Sequence, residues 1–369
     1  MIYFDNSATT KPNSAAIAAV ALAMETHWGN PSAVHRHGME AEKLLQTAHK
    51  QVATALGATP DRVFFTSGGT EADNWAIQAA IQSRGKRGKH ILTTAFEHHA
   101  ILHPLAQLSA QGYEITYLKP DENGTISPEN FRTALRPNTV FVSIMMVNNE
   151  IGSVQDIAAM VKATRRLSPD ALFHTDAVQG FLKVPFNAKT LGVDMLSVSG
   201  HKVHGPKGAG ALYIRTGLNL KPYLLGGGQE RGLRSGTEPM PAILGFAAAV
   251  DAQLPTYKAD ISHMNTLKTQ LLDGISQMFH VKHLGTSEAP HIVNLSIPAV
   301  RTQEIINRLQ DLNIYVSAGS ACARGHRSHV LESMEIAPAL IDGAVRISFC
   351  AENTPEEVAT LLSALQSFG

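Results

Sequence analysis

From Ala171 to Lys202 the chain reads ALFHTDAVQGFLKVPFNAKTLGVDMLSVSGHK. Two short runs within it, Leu172–Thr175 and Met195–Val198, are apolar and β-prone, and each gives way to polar residues: Asp176 with Gln179 after the first, Ser199-Gly200-His201-Lys202 after the second. Strand-like runs bounded by turn residues and alternating with helical patterns predict a mainly parallel sheet covered by helices. The alternation extends both ways. Further strands are predicted at Arg62–Thr66, His90–Thr94, Glu114–Leu118, Val140–Met146 and Gly210–Ile214, and helices over 36–56, Glu71–Gln82, His98–Ala110, Pro128–Leu135 and Asp156–Leu167. The predicted fold class is therefore doubly wound α/β.

After a helix-like stretch, Pro241–Leu254, the texture changes. A long polar helix (Lys258–Met278), a strand (Ile292–Ile297), a helix (Gln303–Leu312), a strand (Val345–Phe349) and a closing helix (Pro355–Phe368, with Thr354 as N-cap) follow. This predicts a large domain over 13–255 and a smaller α+β domain made of 1–12 with 256–369. The 369 residues carry 31 Lys+Arg and 31 Asp+Glu, so the formal charge is 31 − 31 = 0 and no long-range field recruits nucleic acid or an anionic membrane. The apolar run Ala15–Met24 is too short to span a bilayer and reads as a buried helix face. Two cysteines, Cys322 and Cys350, form no disulfide framework, which favours a reducing, cytoplasmic setting. The basic run Arg84–Lys89 reads as a solvated loop.

In a doubly wound fold ligands bind beyond the carboxyl ends of the strands, so the residues just after each apolar run carry the chemistry. After Val63-Phe64-Phe65 comes Thr66-Ser67-Gly68-Gly69-Thr70-Glu71, a small-residue turn opening a helix, suited to an anion such as phosphate. After Ile91–Thr94 come Glu97, His98 and His99; after Met145-Met146-Val147 come Asn148, Asn149 and Glu150. Asp176 alone reads as a helix N-cap, and Lys202 alone as a loop lysine, although a strand-end lysine among small and imidazole neighbours also suits a Schiff-base amine or general base. Gly205-Pro206-Lys207 lacks the Gly-Lys-Ser/Thr of a nucleotide loop. The 17 histidines include no spacing that closes a four-ligand metal site, so no metal is expected. Cys322, in Ser317-Ala318-Gly319-Ser320-Ala321-Cys322-Ala323-Arg324-Gly325, lies in a small-residue loop beside a cation that favours its thiolate, whereas Cys350, after Ile347–Phe349, reads as a packing thiol. A phosphate turn, an imidazole, an Asn, an Asp with a Gln, and a Lys at successive strand ends together fit pyridoxal 5′-phosphate (PLP), with the lysine bonded to the cofactor and the aspartate keeping the pyridine nitrogen protonated.

The sequence resembles the cysteine desulfurases, the NifS/IscS-like group of the class V aminotransferase family of fold-type I PLP enzymes, nearly from end to end. The stretches that carry the resemblance are Tyr3–Thr10, Asn30-Pro31-Ser32, Gly69–Asn74, Glu97-His98, Asn148–Gly152, Asp176–Gln179, Ser199–Lys202, Glu230–Thr237 and Gly319–Cys322. The resemblance implies a large PLP-binding domain and a small domain bearing the catalytic cysteine loop. It implies that Lys202 bonds PLP and moves the substrate α-proton, that His98 stacks on the ring and assists proton transfer, and that Asp176 pairs with the ring nitrogen. Gln179 and Asn149 would lie near the phenolic oxygen, Asn149 also meeting substrate, while Gly69, Thr70, Ser199 and His201 would hold the phosphate. Thr237 would reach the phosphate of the neighbouring subunit of a homodimer, and Arg346 would clamp the substrate carboxylate. Cys322 would attack the sulfur of L-cysteine, leaving L-alanine and an enzyme persulfide. That sulfur would pass to an acceptor protein, an iron–sulfur scaffold or a tRNA- or cofactor-thiolation enzyme. Two departures stand out: Ala323-Arg324-Gly325-His326-Arg327 is more basic than the small hydroxyl residues usual after the cysteine, and Gly69 stands where Ala is common, which reads as a mild change. A selenocysteine lyase or class V aminotransferase is the alternative enzyme, and a sulfur-relay partner the alternative of another class; a transaminase has no need of Cys322.

Overall fold

After a two-residue strand, β1 (Ile2–Tyr3), the chain lays down seven strands that join in one sheet: β2 (Val63–Thr66), β3 (His90–Thr94), β4 (Glu114–Leu118), β5 (Thr139–Ser143), β6 (Leu172–Asp176), β7 (Met195–Ser199) and β8 (Gly210–Ile214). The computed structural model describes residues 1–319 and 327–369. The strand order is β2-β8-β7-β6-β5-β3-β4, and β8 alone runs against its neighbours. Every residue of β2, β3, β5, β6, β7 and β8 is buried, which is why these strands read as continuous apolar runs without alternation. Edge strand β4 is the exception: only Leu118 is buried, and Glu114 and Tyr117 face water.

Helices cover both faces, as the alternating pattern requires. Helix Arg36–Leu56 buries a stripe at helical spacing, Ala41, Leu45, Ala48, Val52 and Leu56, and stops at Gly57, whose φ of +67° suits glycine. Helix Ser14–Glu25 forms where an apolar run is predicted, but it is not a buried face. Only Ala16 and Ala23 are buried, while Ile17 (56 % exposed), Leu22 (51 %) and Met24 (66 %) face outward, as does the nearby Trp28 (71 %). The small residues turn inward because the helix lies close on helix Met240–Gln253: a Cβ on Gly245 would come within 2.6 Å of Val20 Cγ2.

The rest of the chain builds a second core. Strands β9 (Lys282–Leu284), β10 (Ile292–Ser296) and β12 (Ala344–Ser348) form an antiparallel sheet in the order β12-β10-β9, and β11 (Ile314–Tyr315) pairs in parallel with β1. Phe4 enters this core edge-on against Phe349, with Leu267, Val293, Ile305 and Leu361 around it. Helix Pro355–Gln366 opens with a capping box: Thr354 Oγ1 accepts from Glu357 N–H and Glu357 Oε2 accepts from Thr354 N–H. Strands β1, β9 and β11 have two or three residues each, too few for a period to show in sequence. Among the described residues no helix is long and apolar enough to cross a membrane.

Candidate active site

The carboxyl ends of five strands of the seven-stranded sheet empty into one cavity of about 300 Å³. Beyond β2 the chain turns at Gly68, whose φ of +154° lies in a region that L side chains rarely adopt, and enters helix Gly69–Arg84. Gly69 and Thr70, in that helix's first turn, line the cavity, where N–H groups without intrahelical partners and the helix dipole favour an anion. His98 comes after β3, Asn149 after β5, Asp176 and Gln179 from the end of β6, and Ser199, His201 and Lys202 from the end of β7. Arg346 of β12 and the carbonyl-bearing Ser7 and Ala8 close the cavity from the second core. All ten of these sequence-predicted residues, Gly69, Thr70, His98, Asn149, Asp176, Gln179, Ser199, His201, Lys202 and Arg346, line one space.

Lys202 donates to the carbonyls of Ser7 at 2.6 Å and Ala8 at 2.7 Å, so its amine is held at the cavity wall by the chain's first residues. His98 caps helix His99–Ala110, its Nδ1 accepting from Ala100 N–H at 3.1 Å, which leaves the ring proton on Nε2. Burial, then the Lys202 charge, pulls His98 down to about 4, and the same two causes bring His201 to about 4; both are neutral imidazoles at pH 7. Asp176 is 6 % exposed; burial pushes its carboxyl up to about 6 although one oxygen accepts from Val178 N–H at 2.8 Å.

Beside Asp176 stands a further cavity-lining carboxyl, Asp73, with a buried imidazole next to it, and the sequence alone assigns a role to neither. Asp73 is buried and its carboxyl is pushed well up by burial and by the Asp176 charge. Its neighbour His174, 3.6 Å away, bridges Ser143 Oγ and Ser197 Oγ at 2.9 Å each and is brought to about 3 by burial, so it stays neutral. Glu97, expected among the strand-end groups, is buried outside the cavity. Burial pushes it to about 8 while its Oε1 accepts from Thr94 Oγ1 and Met145 N–H. Met145, Val147 and Val178 add apolar wall that no local motif marked.

Arg346 is 2 % exposed and donates to Asp5 Oδ1 and to the Asn149 carbonyl, each at 2.8 Å. Its Nε, with Ser7 Oγ and Asp73 Oδ1, is buried without a hydrogen-bond partner among the described residues. Polar atoms left unpaired around a cavity mark where a polar ligand belongs. The donor set fits PLP: helix-start N–H groups and the Thr70 hydroxyl for a phosphate, the Asp176 carboxyl for a cationic ring nitrogen, and the Lys202 amine for an aldehyde. Gly69 is tighter than its sequence suggests, because a Cβ there would meet Val178 Cγ2 at 2.8 Å; alanine at this position is not a mild change in this chain.

Thr237 is exposed and does not line the cavity. Cys322, with Arg324 and His326, lies outside the described residues. Cys350 is half-buried and burial pushes its thiol up, as suits a packing cysteine. In the basic run, Arg87 pairs with Asp170 and Lys89 lies over the Tyr113 ring, so part of its charge is engaged locally.

The sequence matches the family described as Aminotransferase class-V over residues 2–361. It is 38 % identical over 368 residues to the cysteine desulfurase IscS of Methanosarcina thermophila, covering 99 % of this chain and 91 % of that protein. Among solved structures it resembles a NifS-like protein with a TM-score of 0.94 at 35 % identity, covering 99 % of this chain and 98 % of the other. It also resembles SspA in complex with cysteine, with a TM-score of 0.82 at 32 % identity, covering 96 % of this chain and all of the other.

Proposed function

The chain belongs to the class-V aminotransferase family, and from that premise and the contents of the cavity we propose that it is a PLP-dependent cysteine desulfurase. The observation that carries this reading is the meeting of Lys202, Asp176, His98 and the Gly69–Thr70 helix start in one cavity also faced by a buried arginine. Gly69, Thr70, Ser199 and His201 would hold the PLP phosphate, Asp176 would pair with its ring nitrogen, and His98, Gln179 and Asn149 would complete its binding site. Bound there, PLP supplies an acceptor for the electron pair that the substrate's α-carbon releases.

The chain's own residues do the rest. Arg346 binds the L-cysteine carboxylate through donors not used on Asp5 and Asn149. Lys202, placed by the Ser7 and Ala8 carbonyls, moves the α-proton, and the neutral His98 assists with its Nε2 proton. The Cys322 thiolate attacks the substrate sulfur. The Cβ–S bond breaks, an S–S bond forms, the electron pair left on Cβ takes up a proton to become the methyl group of L-alanine, and the enzyme carries a persulfide. No external oxidant or reductant is needed.

The finer reading is a cytoplasmic homodimer of large domain 13–255 and small domain 1–12 with 256–369, which passes sulfur to an iron–sulfur scaffold or a thiolation enzyme. A hydrophobic cluster made of Phe4 with residues from Met264 to Leu365 supports a core for the small domain, while Leu284, Ile292, Val330 and Ala344 of the same segment pack into the core of the large one. The exposed apolar face of Ile17, Leu22, Met24 and Trp28 supports self-association, since so much large apolar surface invites a partner. Exposed Thr237 is available to a second copy. The test is alanine and sulfide formed from L-cysteine with a reducing thiol present. Equal amounts from the wild type, lost in Cys322→Ala while the visible band of bound PLP persists, are expected. Continued alanine production by the variant would point to a lyase that does not need Cys322, and a wild type that makes no alanine to an aminotransferase.

A further inference from the structure

Gln179 lines the cavity three residues beyond Asp176, and its neighbours decide which way its amide faces. Nε2 donates to the Ser7 carbonyl at 2.9 Å, and a backbone carbonyl only accepts, so the amide nitrogen faces Ser7 and the oxygen faces away. That oxygen lies 3.3 Å from Nε2 of His291. Two lone pairs would repel at that distance, so His291 Nε2 carries the proton.

His291 is fully buried just before β10. Its own carbonyl accepts from Phe349 N–H at 2.9 Å, which ties the root of the side chain to the end of β12. Its Nδ1 has no partner among the described residues. Besides Gln179, the ionisable groups that bear on the ring are the cations Lys183, Lys268 and Arg346, which together with burial hold it neutral. A neutral ring has one N–H, and the Gln179 oxygen claims it. The Ser7 carbonyl also accepts from Lys202, so the chain runs His291 to Gln179 to Ser7 to Lys202, from the second core to the strand-end amine.

We propose that His291 is a positioning residue that locks the Gln179 amide with its nitrogen toward Ser7 and the cavity, so that the cavity meets an N–H donor instead of a carbonyl oxygen. The proposal rests on the PLP reading only for what that donor serves, the phenolic oxygen of the cofactor. Without the donor that oxygen is more basic, and the proton it shares is held to higher pH.

Nitrogen-detected histidine NMR on the wild-type protein without cofactor tests the lock with no variant at all. The expected result is a neutral Nε2–H ring at pH 7; an Nδ1–H tautomer or a charged ring overturns the proposal. The PLP-loaded protein then gives an optical readout. His291→Leu should raise the pH midpoint of the visible band by roughly 0.5–1 units, the worth of one hydrogen bond. His291→Gln, which keeps an amide N–H at similar reach, should restore it. Equal midpoints in a folded Leu variant and the wild type overturn the proposal. A protein that shows the Nε2–H ring and the midpoint shift but makes no alanine from cysteine upholds this inference while refuting the proposed reaction.

Discussion

The two walls of the cavity are built differently. On the central-sheet side the functional groups sit at or just past strand ends: Asp176 is the last residue of β6, and His98 and Lys202 follow β3 and β7 within four residues. On the other side Arg346 is the third residue of β12, paired with Asn294 of β10 inside an antiparallel ladder, and His291 hides behind Gln179. The first wall exposes chemistry that begins where structure ends. The second embeds a guanidinium within a strand and reaches the cavity through ion pairs and relayed hydrogen bonds. The proposed function accordingly assigns the proton work and the cofactor to the strand-end wall, and orientation to the in-strand wall.

If that division holds, the largest effect belongs to Lys202. Lys202→Ala should lower alanine formation by at least roughly 10²–10⁴-fold, the worth of a positioned acid–base group, with the fold intact by circular dichroism. Next comes Arg346→Gln, which should cut kcat/KM by roughly 10–100-fold, chiefly through KM, as expected for losing a charge-assisted hydrogen bond to substrate. Asp5→Asn sharpens this. If Arg346 serves only to hold Asp5, the two variants should be equally impaired, whereas a substrate clamp predicts that Asp5→Asn loses far less. Gly69→Ala should weaken PLP binding by roughly 5–30-fold, because the new methyl would meet Val178 Cγ2 at 2.8 Å and must displace it; titration of the cofactor-free protein with PLP measures it.

A smaller effect concerns stability. Glu97 has its folded pKa raised from 4.5 to about 8, so it binds a proton more tightly folded than unfolded. Its stabilising contribution is full below pH 4.5 and is lost as pH rises through 8. The Tm of the cofactor-free wild type relative to that of Glu97→Gln should therefore fall from pH 5 to 8, a difference that isolates Glu97 from the buried histidines, whose lowered pKa values act in the opposite sense. A difference that stays constant over that range would mean that Glu97 is ionised in the folded protein.

The contrast between the walls also explains what was legible in the sequence. Strand-end residues announce themselves because a fully buried parallel strand is a continuous apolar run, so the first polar residue after it is conspicuous; the central sheet and most of the cavity could be read this way. Arg346 could not. A charged residue inside Ala344–Ser348 contradicts the strand's own pattern, and only family resemblance assigned it a role. Asp73 and His174 were hidden for a related reason, since they lie within a helix and a strand and act through contacts that no local motif encodes. Helix Ser14–Glu25 departs from the expected buried face because an apolar decapeptide looks the same whether it buries large residues or, as here, buries only Ala16 and Ala23 and turns Ile17 and Leu22 outward. The two- and three-residue strands β1, β9 and β11 were missed for want of length.

The central claim, that this cavity strips sulfur from cysteine and loads it on one thiol of the chain, is met most directly by peptide mass spectrometry. The PLP-loaded protein would be treated with L-cysteine and trapped with an alkylating agent. The account predicts one added sulfur atom on the peptide containing Cys322 and none on that containing Cys350, with both unmodified in Lys202→Ala. Added sulfur on Cys350, or on Cys322 in the Lys202→Ala protein, would contradict it.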